Sequence, residues 1–215
     1  ARANWDRLEV RTEQKQLLLE YEAQGYLLHD MDFISNRYLV VATGTGIMVT
    51  GFKVYDFLSS QWTLDIDGAA FDTGFCGSHP SAPVIAVEDN GGMGLWDLHE
   101  ARRFSCITMS DAPNVAALGG PGNRIATGSS EKIFMIEQGR EAWSVEVGTG
   151  DITAMAWNIP QASLLCGDCA GNIMLIETGA AREVNTIGKL SEEIKQIRVS
   201  PDGKSAIATG YDGMA

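Results

Sequence analysis

The sequence predicts an all-β protein, an array of small four-stranded antiparallel sheets, from three observations. A short phrase recurs in which an apolar run closes on an acid: Val54-Tyr55-Asp56, Leu95-Trp96-Asp97, Met135-Ile136-Glu137 and Leu175-Ile176-Glu177. The acids at positions 56, 97, 137 and 177 return every 40 or 41 residues, a period that belongs to repeat architectures rather than to one mixed core. Segments such as Ile194-Lys195-Gln196-Ile197-Arg198-Val199 alternate apolar and polar residues, as half-buried strands do. Between the segments stand turn signals such as Ser200-Pro201-Asp202-Gly203-Lys204, where Pro presets φ and Gly accepts a positive one.

Taken in order, Leu8, Val10 and Thr12 alternate, residues 13–15 can turn, and Leu17 to Glu22 can return as a strand. The three leucines 17–19 have helical propensity, but the register of the repeat argues for a hairpin over 1–22. The first full unit has strands at 29–33, 38–42, 52–55 and 62–66, with an insertion over 43–51 where other units have a tight turn. The second has strands at 70–75, 84–87, 93–96 and 103–108. The third runs 114–118, 124–128, 132–136 and 142–147, with Gly119-Gly120-Pro121-Gly122-Asn123 as its first turn. The fourth runs 152–157, 163–167, 173–177 and 183–187, and its Asn158-Ile159-Pro160-Gln161 is a turn. The last pair is 194–199 and 206–210. Four short strands per unit and regular repetition imply radial stacking of the sheets.

Three passages carry a resemblance to a known family: Leu95-Trp96-Asp97, the Ser200 to Lys204 turn, and Ala208-Thr209-Gly210-Tyr211-Asp212-Gly213. On these residues the chain resembles the WD-repeat β-propellers. The likeness spans nearly the whole chain; one unit carries the literal Trp-Asp pair at the close of its third strand, and no Gly-His opens a repeat. It implies a β-propeller of four-stranded antiparallel blades, about five blade equivalents here: a half blade at 1–22, blades at about 28–66, 69–108, 113–147 and 151–187, and a half blade at 194–215. If the halves complete each other, the ring has five blades. Otherwise it has more, seven being usual in the family, and the missing strands come from elsewhere. The second arrangement is the expectation.

The bulk composition excludes several classes. Apolar residues make up 45% and charged residues 20% of 215, ordinary for a globular chain, and no apolar run is long enough to cross a membrane as a helix. A net charge of −12 argues against broad binding to nucleic acid or anionic lipid, which need a Lys/Arg surplus. Arg102-Arg103 and the scattered Lys189, Lys195 and Arg198 are the basic clusters. Cys76, Cys106, Cys166 and Cys169 are too few and too irregular for a disulfide scaffold, so a reducing intracellular compartment is expected, the cytoplasm or the nucleus.

Chemical motifs are thin. Cys166-Gly167-Asp168-Cys169 has redox spacing but spans a strand end and a turn, and no second pair completes a zinc site. His29, His79 and His99 are isolated. Gly44-Thr45-Gly46 and Gly119-Gly120-Pro121-Gly122 do not open helices, so they read as turns rather than phosphate cradles. No cofactor and no catalytic set are indicated. The expected function is a non-enzymatic protein–protein interaction scaffold within a larger assembly.

Loop placement taken from the resemblance gathers Asp67, Asp111, Asp151 and Glu192 on one face with Asp89, Asn90, Ser130, Asp168 and Asp212. A basic peptide or basic protein surface suits that face. The apolar insertion tip, Ile47 and Met48, is a further contact candidate. The rival is a metal-dependent hydrolase or lyase in the central channel, for which the first strands offer His29, Asp30, Asp32, Asp72 and Asn114.

Overall fold

The computed structural model describes residues 2–3, 7–23, 26–45, 48–67, 75–79, 82–89, 92–120, 123–179 and 182–211. These residues are all-β, with twenty strands and one 3-10 turn, Ile159–Gln161. The strands are β1 (Arg2–Ala3), β2 (Arg7–Arg11), β3 (Leu17–Glu22), β4 (Leu27–Ile34), β5 (Tyr38–Thr45), β6 (Met48–Asp56) and β7 (Gln61–Asp67). Next come β8 (Phe75–Ser78), β9 (Val84–Asp89), β10 (Gly92–Asp97), β11 (Arg102–Thr108), β12 (Val115–Gly120), β13 (Arg124–Gly128) and β14 (Ser130–Glu137). The last are β15 (Arg140–Asn158), β16 (Ser163–Asp168), β17 (Asn172–Glu177), β18 (Val184–Lys189), β19 (Ile194–Val199) and β20 (Ala206–Gly210).

All pairings are antiparallel between strands adjacent in sequence. They form sheets β1–β2–β3, β4–β5–β6–β7, β8–β9–β10–β11, β12 through β18, and β19–β20. Short turns between alternating strands dictate this meander. The faces then stack in chain order, each contact with its own apolar core. Leu8, Val10 and Leu19 pack on Leu39, Val41 and Tyr55. On the other face of that sheet, Ile34, Val40, Phe52 and Val54 meet Ile85 and Val87. Met93, Leu95 and Ile107 meet Leu118, Phe134 and Ile136. Ile133 and Met135 meet Ile152, Trp157, Leu164 and Met174. Ala154 and Leu165 meet Ile194 and Ile197. Among the described residues no such core joins β19–β20 to β1–β3.

The structure departs from the sequence reading at five places. The third and fourth units are not separate sheets: β15 pairs with β14 as far as Ser130↔Asp151 and with β16 from Ile152↔Asp168, so one strand serves both. Gly148 (φ 63°) and Gly150 (φ 105°) let the backbone turn the corner without leaving the ladder. The insertion at 43–51 is not a broad loop. It lengthens a hairpin whose pairing runs on to Thr45↔Met48 past an irregularity at Thr43/Gly44.

Of the strand expected at 70–75, residues 70–74 lie outside the described residues; β8 begins at Phe75 and runs on to Ser78, through a glycine and a serine that the sequence reading left between strands. Gly77 lies so close to β12 that an added Cβ would sit 2.0 Å from the Ala116 carbonyl oxygen; the glycine serves close approach between strands. Similarly, β12 runs on through Gly119 and Gly120, and the Trp157 ring lies over Gly120. Finally, β1 is a strand that the hairpin reading of this region did not include: it pairs with β2 (Arg2↔Glu9, Ala3↔Leu8), on the side where β20 would have to add in the alternative in which the partial sheets complete one another. They remain separate sheets among the described residues.

Candidate functional site

The repeated acids are the first residues to place, and three of them, Asp56, Asp97 and Glu137, serve the sheets. Arg37, in the turn before β5, donates to both carboxylate oxygens of Asp56, Nε at 2.9 Å and Nη2 at 2.7 Å. Leu58 N–H adds a third bond at 2.9 Å. The Arg37 hydrogen bonds, helped by Leu58 and opposed by burial, hold the Asp56 carboxyl well below the usual carboxylate range. Asp97 accepts the N–H groups of His99 and Glu100. Glu137 pairs with Arg124 at 2.8 Å, tying the end of a third strand to the start of the second; Arg37 does the same for Asp56 from one residue earlier, in the turn. Each of these acids ends a third strand and ties down the turn or the strand beside it.

The sheet end that carries the inter-sheet connectors comes next. Ser129 Oγ donates to Asp111 at 2.8 Å, and Ile152 N–H to Ser129 O at 3.1 Å. Cys169 N–H donates to Asp151 O, and Leu190 N–H to Gly171 O, both at 2.9 Å. These bonds bring Asp111, Asp151 and the 190–192 connector to the same end as the β13–β14 and β16–β17 turns. Ser130, Asp151 and Glu192 are exposed there, and Asp111 is half-buried.

Asp168 is different. It is 0% exposed, and its carboxylate accepts the N–H of Ala170 (3.0 Å) and the N–H and side-chain amide of Asn172 (both 2.7 Å). It builds a turn and is withdrawn from the docking surface, because a buried carboxylate holding a turn cannot meet a partner. Asp67 and Asp89 end β7 and β9, pairing through the backbone with Gly51 and Gly92. Met48 opens β6 opposite Thr45. Asn90, Asp212 and Ile47 lie outside the described residues, as does Asp72.

A cavity of about 530 Å³ runs between the first strands of successive sheets. Its wall takes Met31, Asp32 and Phe33 from β4, Gly77 and Ser78 from β8, residues 114–118, residues 153–157 of β15, and β19. It reaches Ile159, Pro160, Ser200 and Pro201 in the turns after those strands, the end away from the acidic connectors. Ser78 Oγ donates to Asp32 Oδ2, and Arg198 Nη2 stands 4.0 Å from Asp32 Oδ1. Thr153 Oγ1 donates to Ile194 O at 2.6 Å, and the Trp157 indole N–H to Ala117 O at 2.9 Å, so both tie first strands together.

Among the remaining candidates, Cys166 and His79 are structural in their surroundings. Cys166 is buried and its thiol pushed far up by that burial, while Cys169 and Cys106 are exposed; all three are free thiols. His79 Nδ1 accepts Ala82 N–H at 2.8 Å, and burial lowers its pKa. His99 Nδ1 stands 3.4 Å from the Tyr38 hydroxyl. Asn114 is at the cavity wall, and His29 and Asp30 are in β4. Among the described residues no three His, Cys, Asp or Glu side chains are grouped to hold a metal ion, and no helix is long and apolar enough to cross a membrane. Sequence reasoning overlooked Phe33 and the pairing of Ser78 with Asp32. Phe33 reads as an ordinary core position of an alternating strand, and Ser78 as loop. No family model matches the chain, and no curated protein matches it either.

Proposed function

We propose that the sheets are blades of a WD-repeat-like β-propeller that acts as a non-catalytic scaffold, binding a basic peptide or basic protein surface at its connector end within a larger assembly. The observation that carries this reading is that end itself. There Asp111, Asp151 and Glu192 stand on successive connectors at one end of the sheets, tied by hydrogen bonds to the adjacent turns, in a chain of net charge −12. The sheets hold the loops in place, and the carboxylates of that end favour a cationic guest and speed its approach. The common cavity between the first strands and the 40-residue period support the blade assignment.

The test is titration of a labelled Lys/Arg-rich peptide into the purified chain and into Asp151→Lys and Glu192→Lys variants. Both side chains are exposed, so folding is preserved. Each reversal should weaken binding by roughly three- to tenfold, and added salt should weaken it further. Unchanged affinity in both variants would remove the connector end from consideration.

A further inference from the structure

We propose that the cleft between β4 and β19 is a second docking site, of opposite preference, for an extended acidic segment bearing an aromatic or large aliphatic side chain. Sheets adjacent in chain order meet through apolar cores; between β4 and β19 the described contact is the ion pair of Arg198 with Asp32. At 4.0 Å it is longer than a hydrogen bond, so the pair leaves Arg198 available to a better acceptor. The Arg198 side chain is 64% exposed, and Asp32 only 26%. Asp32 is also engaged by the Ser78 hydroxyl, whereas Arg198 makes no other ion pair among the described residues. Lys195 is occupied nearby, its ammonium 3.7 Å above the Tyr211 ring and 3.9 Å from Glu193. The group that projects into the cleft is therefore a guanidinium, whose planar fork suits a carboxylate in two-point contact.

The apolar half of the site is Phe33, on the cavity wall and 45% exposed. Its ring stacks on Phe57 with centroids 6.0 Å apart, and Phe57 meets Tyr55 edge-on at 5.1 Å. Tyr55 in turn meets Trp62 at 5.3 Å, and Trp62 meets Tyr21 at 4.9 Å. A ring braced in this way is a rigid anchor that loses little freedom on binding. Ile159, 49% exposed, adds apolar surface across the mouth. The cavity lies within the range that holds a peptide side chain and its flanks. Charge selects the occupant. The acidic connector end repels an acidic segment, and Arg198 attracts it at the opposite end.

The experiment measures fluorescence anisotropy of two labelled peptides, one with Phe between Asp/Glu residues and one with Phe between Lys residues, on the full chain. The acidic peptide should bind more tightly, and Arg198→Glu should weaken it by about tenfold or more, leaving the Lys/Arg-rich peptide of the connector end unaffected. Asp32→Asn, which keeps an acceptor for Ser78 but removes the competing charge, should tighten it about threefold; a merely structural pair would not produce that gain. Phe33→Leu should weaken it without lowering the melting temperature. Equal binding of the two peptides, or no loss in Arg198→Glu, overturns the proposal. So does a concentration-dependent dimer that excludes the acidic peptide, which would assign the cleft to a second copy.

Discussion

At the scale of single residues, the acids of this chain divide into those that build turns and those that face solvent. Asp56 belongs to the first group. Its folded pKa is depressed, so its contribution is fully present above the ordinary carboxylate value, about 3.9, and is lost as pH falls through the folded value. Denaturant melts of the wild type should lose stability below about pH 4; Asp56→Asn should be less stable at pH 7 and show a shallower decline in acid. Asp168 belongs there too. Asp168→Lys places an unmatched charge where three hydrogen bonds converge, and should cost about 3 kcal/mol or more, read as a lowered denaturation midpoint. The thiols divide likewise. A thiol-specific reagent should label Cys106 and Cys169 in the native chain and reach Cys166 only on unfolding.

At the scale of strands, a small residue at the end of a second strand sets how closely the next sheet approaches. A Cβ added to Gly128 would stand 2.5 Å from the Ile152 side chain, and one added to Gly167 would stand 2.4 Å from Ile194. These are equivalent positions one repeat apart, with Ile152 and Ile194 both 0% exposed. Gly128→Val should cost about 1–3 kcal/mol by overpacking, checked by thermal melting, while Gly139→Val, in a turn with open space, should lose stability only through its positive φ. Strand alternation and turn chemistry made β13, β19 and β20 legible to the residue. They failed at β8 and at the end of β12, where glycines that resemble turn formers lie inside strands. They failed again in β15, where two glycines bend a strand instead of ending it.

For the whole molecule, stability is distributed along a stack in which each sheet leans on its neighbours. The middle sheets are covered on both faces. The β1–β3 and β19–β20 sheets each have one described core. Hydrogen exchange should therefore be fastest in β1–β3 and β19–β20 and slowest in β9, β10, β13, β14 and β16. Uniform protection would mean that the two outer sheets are sealed in solution. Light scattering alongside a thermal melt gives the same distinction: a cooperative monomer indicates a self-sufficient stack, and association indicates edges that take a partner.

The order of amino acids alone dictates the all-β class, the 40-residue unit, nearly every hairpin and the inside–outside alternation, because these depend on local backbone preference and on side-chain period. It also locates the acidic connectors. Packing in three dimensions is what turns Asp168 inward, shares β15 between two sheets, makes packing residues of Gly77, Gly128 and Gly167, and brings Arg198 and Phe33 into one cleft. Those facts arise from contacts between distant segments, and no period or turn signal in a single chain records which strand will lie against which.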